Sequence, residues 1–155
     1  GVPVKIAEPS INLTLLDSLN KRINFLEEVK KQLSLENVTC IHSRAEDGGQ
    51  DKNLREKFDY CVSRAVANLA VLSEYCLPFV KVGGYFVSLK GPDAKDEVIE
   101  AQKAIEVLGG EIEKVEKVEI PFTDITHTLI MIKKVRQTSS KYPRKSGKIS
   151  KSPIK

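Results

Sequence analysis

Apolar residues along the chain alternate between short continuous runs and helical spacing, and this switching predicts the order of elements. Leu13-Thr14-Leu15-Leu16 is a short strand candidate, stopped by the polar pair Asp17-Ser18. Leu19, Ile23, Leu26, Val29 and Leu33 then recur near helical spacing, with Lys21, Arg22, Glu27, Lys30 and Lys31 on the other faces. Val38 to Ile41 and Phe58 to Val62 read as the next strands, with charged Asp51 to Lys57 between them as exposed loop or a short surface helix. Leu69, Leu72, Cys76 and Phe79 predict a helix and its exit, closed by Pro78 and Gly83-Gly84 before a strand over Tyr85 to Leu89. Val98, Ala101, Ile105 and Leu108 form another helical stripe, ended at Gly109-Gly110. Two later strands, Ile112 to Ile120 and Thr128 to Val135, complete an antiparallel pair. Such an order implies an α/β fold, with helices covering a mostly parallel sheet and an antiparallel strand pair at the C-terminal end.

With 155 residues, 41% of them hydrophobic, the chain supports one ordinary core. The expected division is a domain over residues 1–136 and a basic segment over 137–155. The sequence opens on Gly1-Val2-Pro3 rather than Met, with no strand candidate ahead of Leu13, so it reads as lacking an N-terminal part.

Charge sharpens this division. Residues 133–155 hold nine Lys or Arg and no Asp or Glu, leaving sixteen Lys or Arg against twenty-one Asp or Glu in the rest. The formal charge of +4 thus combines an acidic body with an end suited to a polyanion. No apolar run approaches the roughly twenty residues that span a bilayer, and a cytoplasmic protein is expected. Cys40, Cys61 and Cys76 are odd in number, lie in or beside apolar stretches and form no C-x-x-C, so free thiols are expected rather than a disulfide framework or a metal site.

In a sheet of this kind, ligands belong at the carboxyl ends of the strands. Asp17 follows the first strand, where its carboxylate can accept hydrogen bonds from ribose hydroxyls or can start the following helix. Arg44-Ala45-Glu46-Asp47 follows the second. Backbone amides and a carboxylate there can read an adenine edge, with Ala45 leaving room for the ring, or the acidic residues can simply be solvated. Ser63-Arg64-Ala65 follows the third, where an arginine fork suits a carboxylate or a phosphate but equally a helix-start salt bridge. Lys90 adds a positive group at the end of the next strand. In the basic segment, Lys141, Arg144, Lys145 and Lys148 surround Tyr142, a pattern that fits RNA phosphates and a stacked base or a solvated tail. Ser139, Ser140, Ser146 and Ser150 give that segment polar flexibility rather than core character.

The strings GVPVKIAEP, LTLLDSLNKRINFLEEV, IHSRAED, FDYCVSRAVANLAVLSEYCLPFVKVGGYFVSLKG and KYPRKSGKISKSPI resemble successive parts of the bacterial small-subunit ribosomal RNA guanine-N7 methyltransferases, also called glucose-inhibited division protein B. The resemblance implies a class I, Rossmann-like enzyme that uses S-adenosyl-L-methionine to methylate N7 of a guanine in 16S ribosomal RNA. It implies that Gly1 ends the cofactor-binding loop, that Asp17 approaches the ribose and Ala45 and Glu46 the adenosine end, and that Arg64 serves cofactor binding and catalysis. RNA contact then falls to Lys90, Lys141, Tyr142, Arg144, Lys145 and Lys148, and no metal is required.

Such chemistry asks for alignment and charge stabilisation rather than a protein nucleophile. His42 and His127 are accordingly expected to make ordinary strand-end hydrogen bonds. Two other readings fit the residues: a methyltransferase acting on a protein or small molecule, and a catalytically inactive RNA-binding fragment. The expected partner is 16S RNA or the small ribosomal particle, bound by a monomer.

Overall fold

A computed structural model describes residues 1–64, 67–145 and 147–155. It divides into two compact units, Gly1–Ala45 and Glu46–Lys155.

In the first unit, α1 (Val2–Ala7) leads to β1 (Leu13–Asp17), α2 (Asn20–Gln32) and β2 (Val38–His42). β1 and β2 pair in parallel, from Leu13 opposite Val38 to Asp17 opposite His42, as the helical crossover between them requires. Ile23 is the buried residue of the α2 stripe, while Phe25, Leu19 and Leu33 are exposed. Buried Lys5 donates from Nζ to the carbonyls of Pro9 and Ile11, at 2.6 and 2.5 Å, and so fixes the turn that feeds β1.

In the second unit, β3 (Phe58–Arg64), β4 (Val80–Lys90), β5 (Gly110–Glu119) and β6 (Thr126–Lys134) form a sheet of order β3-β4-β6-β5. The β3/β4 pair is parallel and bridged by α4 (Leu69–Cys76) and a 3-10 turn (Leu77–Phe79); β6 runs antiparallel to both β4 and β5. α5 (Lys95–Val107) joins β4 to β5 and packs on α4. Asn68 starts α4 by accepting the Ala70 N–H at 2.9 Å, and Gly109, at φ +89°, ends the α5 segment. Strand alternation is clean: Phe86 and Ser88 of β4 and Ile130 and Ile132 of β6 turn inward, meeting Leu69, Leu72, Leu77, Ala101 and Ile105. Burying each of the large apolar side chains among them stabilises the unit by about 1.5–3 kcal/mol.

The expected strand over Tyr85 to Leu89 starts earlier than its pattern implies. Gly83-Gly84 does not precede β4 but lies inside it, in a bulge where the register jumps from Phe58 opposite Val80 to Tyr60 opposite Tyr85. Gly83 takes φ +89°, and a Cβ on Gly84 would lie 2.5 Å from the Asp59 carbonyl, so both positions favour glycine for reasons other than stopping the chain.

Residues 137–155 lie within the second unit. Ser139, Ser140 and Ser150 are exposed, but residues between and beyond them pack: Ile149 of α6 (Lys148–Lys151) is fully buried, Tyr142 and Ile154 pack on the core, and Thr138 Oγ1 donates to the Leu108 carbonyl at 2.6 Å. Ser146 lies outside the described residues.

Candidate functional site

In the first unit, the expected ligand-binding residues sit where β1 and β2 end. Asp17 closes β1, and its Oδ1 accepts the Leu19 N–H at 2.8 Å while Oδ2 lies 3.3 Å from Arg22 Nη1. Both alternatives for this carboxylate therefore bear on one side chain: it shapes the start of α2, and a carboxylate with about four acceptor sites still has capacity for a diol. His42, opposite Asp17 in the register, has Nε2 3.1 Å from the Ser18 carbonyl, the strand-end bond expected of it. Gly1 approaches β1 closely, since a Cβ there would lie 2.8 Å from Leu15 Cδ2. Ala45 is half-buried and opens the short helix α3 (Ala45–Gly48). A depression of about 410 Å³ lined by Lys5, Pro9, Leu33 and Leu35 belongs to the same unit but includes none of these candidates.

In the second unit, Glu46 is buried within α3, followed by buried Gly48 and Gly49. Arg64 ends β3 and is exposed, and its guanidinium makes no hydrogen bond or ion pair among the described residues. Ala65 lies outside the described residues. Arg64 stands opposite Leu89, so the ends of β3 and β4 bring Arg64 and Lys90 to one edge. Lys90 differs from the open rim charge expected of it. It is buried, its ammonium bonds the Ala67 carbonyl and pairs with Glu97 Oε2 at 2.9 Å, and its charge is already met. His127 Nδ1 lies 3.2 Å from the Lys90 carbonyl, again an ordinary strand-end contact.

The basic segment separates into two kinds of cation. Arg144 is engaged inward: its main-chain N–H and Nε donate to Glu74 Oε1 at 2.8 and 2.9 Å, and Nη2 donates to Oε2 at 2.7 Å. Glu74 is buried in α4, and the Arg144 guanidinium is held above its ordinary value first by this hydrogen bonding. Lys141, Lys145 and Lys148 are exposed. Tyr142 is half-buried, with Lys141 Nζ 5.2 Å and Arg144 Cζ 6.0 Å from its ring centroid.

Sequence reasoning overlooked the residues that hold this segment in place. Arg55 donates to the Thr138, Ser139 and Tyr142 carbonyls, Gln50 to those of Ser140 and Pro143, and Glu56 accepts the Thr138 N–H at 2.9 Å. Glu56 also pairs at 3.2 Å with buried Lys134, whose Nζ donates to the Leu77 and Val80 carbonyls. Two of these networks had a readable signal. Glu74 is the single charge within Leu69–Cys76, and Lys134 shares the inward parity of Ile130 and Ile132, so each needed a buried partner.

All three cysteines are free, with Cys76 buried and Cys40 and Cys61 half-buried. Hydrogen bonding with Cys61, then burial, holds the Cys76 thiol well above its ordinary value. Among the described residues, no group of three or more His, Cys, Asp or Glu is placed to hold a metal ion, and no helix is long and apolar enough to cross a membrane.

The likenesses to solved structures concern the fold. The 16S rRNA (adenine(1408)-N(1))-methyltransferase W203A mutant from Catenulisporales acidiphilia superposes with a TM-score of 0.71 at 14% identity, over 92% of this chain and 80% of that one. M. jannaschii TYW2 in complex with AdoMet superposes with a TM-score of 0.63 at 17% identity, over 86% and 63%. The chain thus has the class I, Rossmann-like methyltransferase fold.

Sequence relatives are much nearer. Ribosomal RNA small subunit methyltransferase G of Alkaliphilus oremlandii (strain OhILAs) is 63% identical over 155 residues, all of this chain and 65% of the relative. The protein of the same name from Desulforamulus reducens is 60% identical over 154 residues, 99% of this chain and 64% of the relative. This chain therefore spans just under two thirds of the length of these curated relatives. The family model GidB, rRNA small subunit methyltransferase G, matches residues 1–127. With this match across most of the chain, on a methyltransferase fold with its candidate residues at strand ends, the chain belongs to the GidB family of rRNA small subunit methyltransferase G.

Proposed function

We propose that this chain serves the transfer of a methyl group from S-adenosyl-L-methionine to N7 of a guanine in 16S ribosomal RNA. The carrying observation is its 63% identity, along its whole length, to a ribosomal RNA small subunit methyltransferase G. When bound, the cofactor supplies a sulfonium-activated methyl group that the guanine N7 lone pair can accept without first losing a proton.

The work assigned to the protein is placement. Asp17 fits the ribose end, because each of its oxygens meets one donor and retains acceptor capacity. Ala45 and Glu46 are assigned to the adenosine end and Gly1 to the cofactor loop, where its lack of a side chain matches the close approach of Leu15. Arg64 is assigned to the reacting end, where an exposed fork can orient an anionic group. On the RNA side, Lys141, Lys145 and Lys148 supply phosphate contacts and Tyr142 a stacking surface. Arg144 and Lys90 act there through position, since Glu74 and Glu97 take their charges. The enzyme acts in the cytoplasm, as a monomer, on 16S RNA or on the small ribosomal particle.

The test is incubation of labelled S-adenosyl-L-methionine with naked 16S RNA and with small ribosomal particles, using this chain and a form as long as its relatives. Label recovered in 16S RNA supports the proposal. Label recovered only in protein or small molecules, or bound RNA without transfer by either form, overturns it.

A further inference from the structure

Arg55 ties together two segments that the proposed function assigns to different ligands. Nη1 donates to the Gly49 carbonyl, three residues beyond Glu46, and to the Tyr142 carbonyl, both at 2.8 Å. Nη2 donates to the Thr138 carbonyl at 2.6 Å and to the Ser139 carbonyl at 3.2 Å. One planar fork therefore closes on main-chain acceptors of the loop after α3 and of the segment that carries Lys141 and Tyr142. Gln50 spans the same gap, with Nε2 3.2 Å from the Ser140 carbonyl and 2.9 Å from that of Pro143.

The far end of the basic segment is anchored elsewhere, by Arg144 on Glu74 and by buried Ile149. Loss of Arg55 would leave the segment attached to α4 while removing its main link to the loop beside Glu46, with the Gln50 amide still spanning that gap. A rigid connection of this kind lets ordering of one segment favour the ordered form of the other.

We propose that Arg55 is a positioning residue that couples the RNA-facing segment 138–144 to the loop after Glu46, so that RNA and cofactor strengthen each other's binding. The inference rests on the assignment of those two segments to RNA and to S-adenosyl-L-methionine. It also reaches past the family match, which ends at residue 127.

The test is calorimetric titration of S-adenosyl-L-methionine in the absence and presence of saturating 16S RNA. It compares the parent protein with Arg55→Ala, Arg55→Lys and Gln50→Ala, in the form as long as the relatives. In the parent, RNA is expected to tighten cofactor binding by about fivefold or more. In Arg55→Ala that factor should fall by more than half while each ligand still binds. Arg55→Lys should not restore it, because one ammonium cannot hold carbonyls of both segments in a planar fork. Exposed Gln50 is readily replaced without disturbing the core, and Gln50→Ala should reduce the factor part of the way. An undiminished factor in Arg55→Ala, or in Gln50→Ala should Arg55→Ala not fold, overturns the coupling, as does a parent in which both ligands bind independently. A parent that binds no cofactor overturns the underlying assignment as well, and the two failures are thereby told apart.

Discussion

Arg144 and Glu74 form a side-on pair in which Nε and Nη2 of the arginine meet separate carboxylate oxygens at 2.9 and 2.7 Å. Glu74 is 1% exposed, and 70 residues of sequence separate the partners. The most conspicuous charge of the basic segment is thus a fastening to α4. Arg144→Ala would leave a buried carboxylate without its counter-ion and is expected to destabilise the second unit by about 2–4 kcal/mol, partial exposure of the arginine placing the loss below that of a fully buried pair. Lys145→Ala, one residue on and exposed, should change stability by less than about 0.5 kcal/mol. Urea unfolding of the two variants checks the contrast.

Asp17 holds the start of α2 and is assigned to the ribose, and the two roles can be separated. Asp17→Asn keeps an acceptor for the Leu19 N–H but removes the charge and one acceptor. Cofactor affinity should fall by about ten- to a hundredfold, the worth of one charged hydrogen bond, with little loss of stability. Titration calorimetry alongside thermal unfolding measures both; unchanged affinity in a folded variant contradicts the assignment.

The cations proposed to meet RNA are those the fold leaves outward. Replacing Lys141, Lys145 and Lys148 by Gln, with Arg144 retained, should weaken 16S RNA binding while sparing free-cofactor affinity. The log–log salt slope should become shallower by about 2, since each phosphate that a lysine neutralises on single-stranded RNA adds about 0.7 to it. Equal slopes in a salt series would mark these lysines as solubilising only.

Period and punctuation revealed most of the fold. β1, α2, β2, α5, β5 and β6 fall close to their expected places, because each carries its own apolar spacing and its own stop. Gly83-Gly84 misled, since a glycine pair needed for close approach in a bulge looks the same as one that ends an element. Asp51 to Lys57 is turn with Asp51 to Asn53 and Lys57 exposed, but the contacts of Arg55 within it are made to main-chain carbonyls, which no side-chain pattern announces. Strand ends singled out Asp17 and Arg64, but the charge run around Arg144 concealed that one of its members is satisfied internally. The lone charges Glu74 and Lys134, set in apolar patterns, were the available warning.

Lys134 gives the second unit an alkaline signature. Burial holds its ammonium below the ordinary lysine range, against the opposing pull of Glu56. Between that lowered value and about 10.4, the unfolded chain retains a proton that the folded chain has released, so this residue makes stability rise with pH across the window. Below the window both states are protonated and the contribution is flat. Lys134→Met should lose that rise, and the difference between the two proteins in urea midpoint, followed upward from about pH 8, reads it directly.

Methyl transfer itself decides whether the proposed chemistry is the right one. Labelled S-adenosyl-L-methionine is incubated with small ribosomal particles and the form as long as the relatives, the 16S RNA is digested, and the labelled nucleoside is identified by mass spectrometry, with Arg64→Ala run beside the parent. The expected product of the parent is 7-methylguanosine. Arg64→Ala should give a yield at least about tenfold lower, as expected when roughly one charged interaction is removed from the transition state, while its unfolding curve stays near the parent's. A different methylated nucleoside, label outside 16S RNA, or an undiminished yield from Arg64→Ala would contradict the proposal.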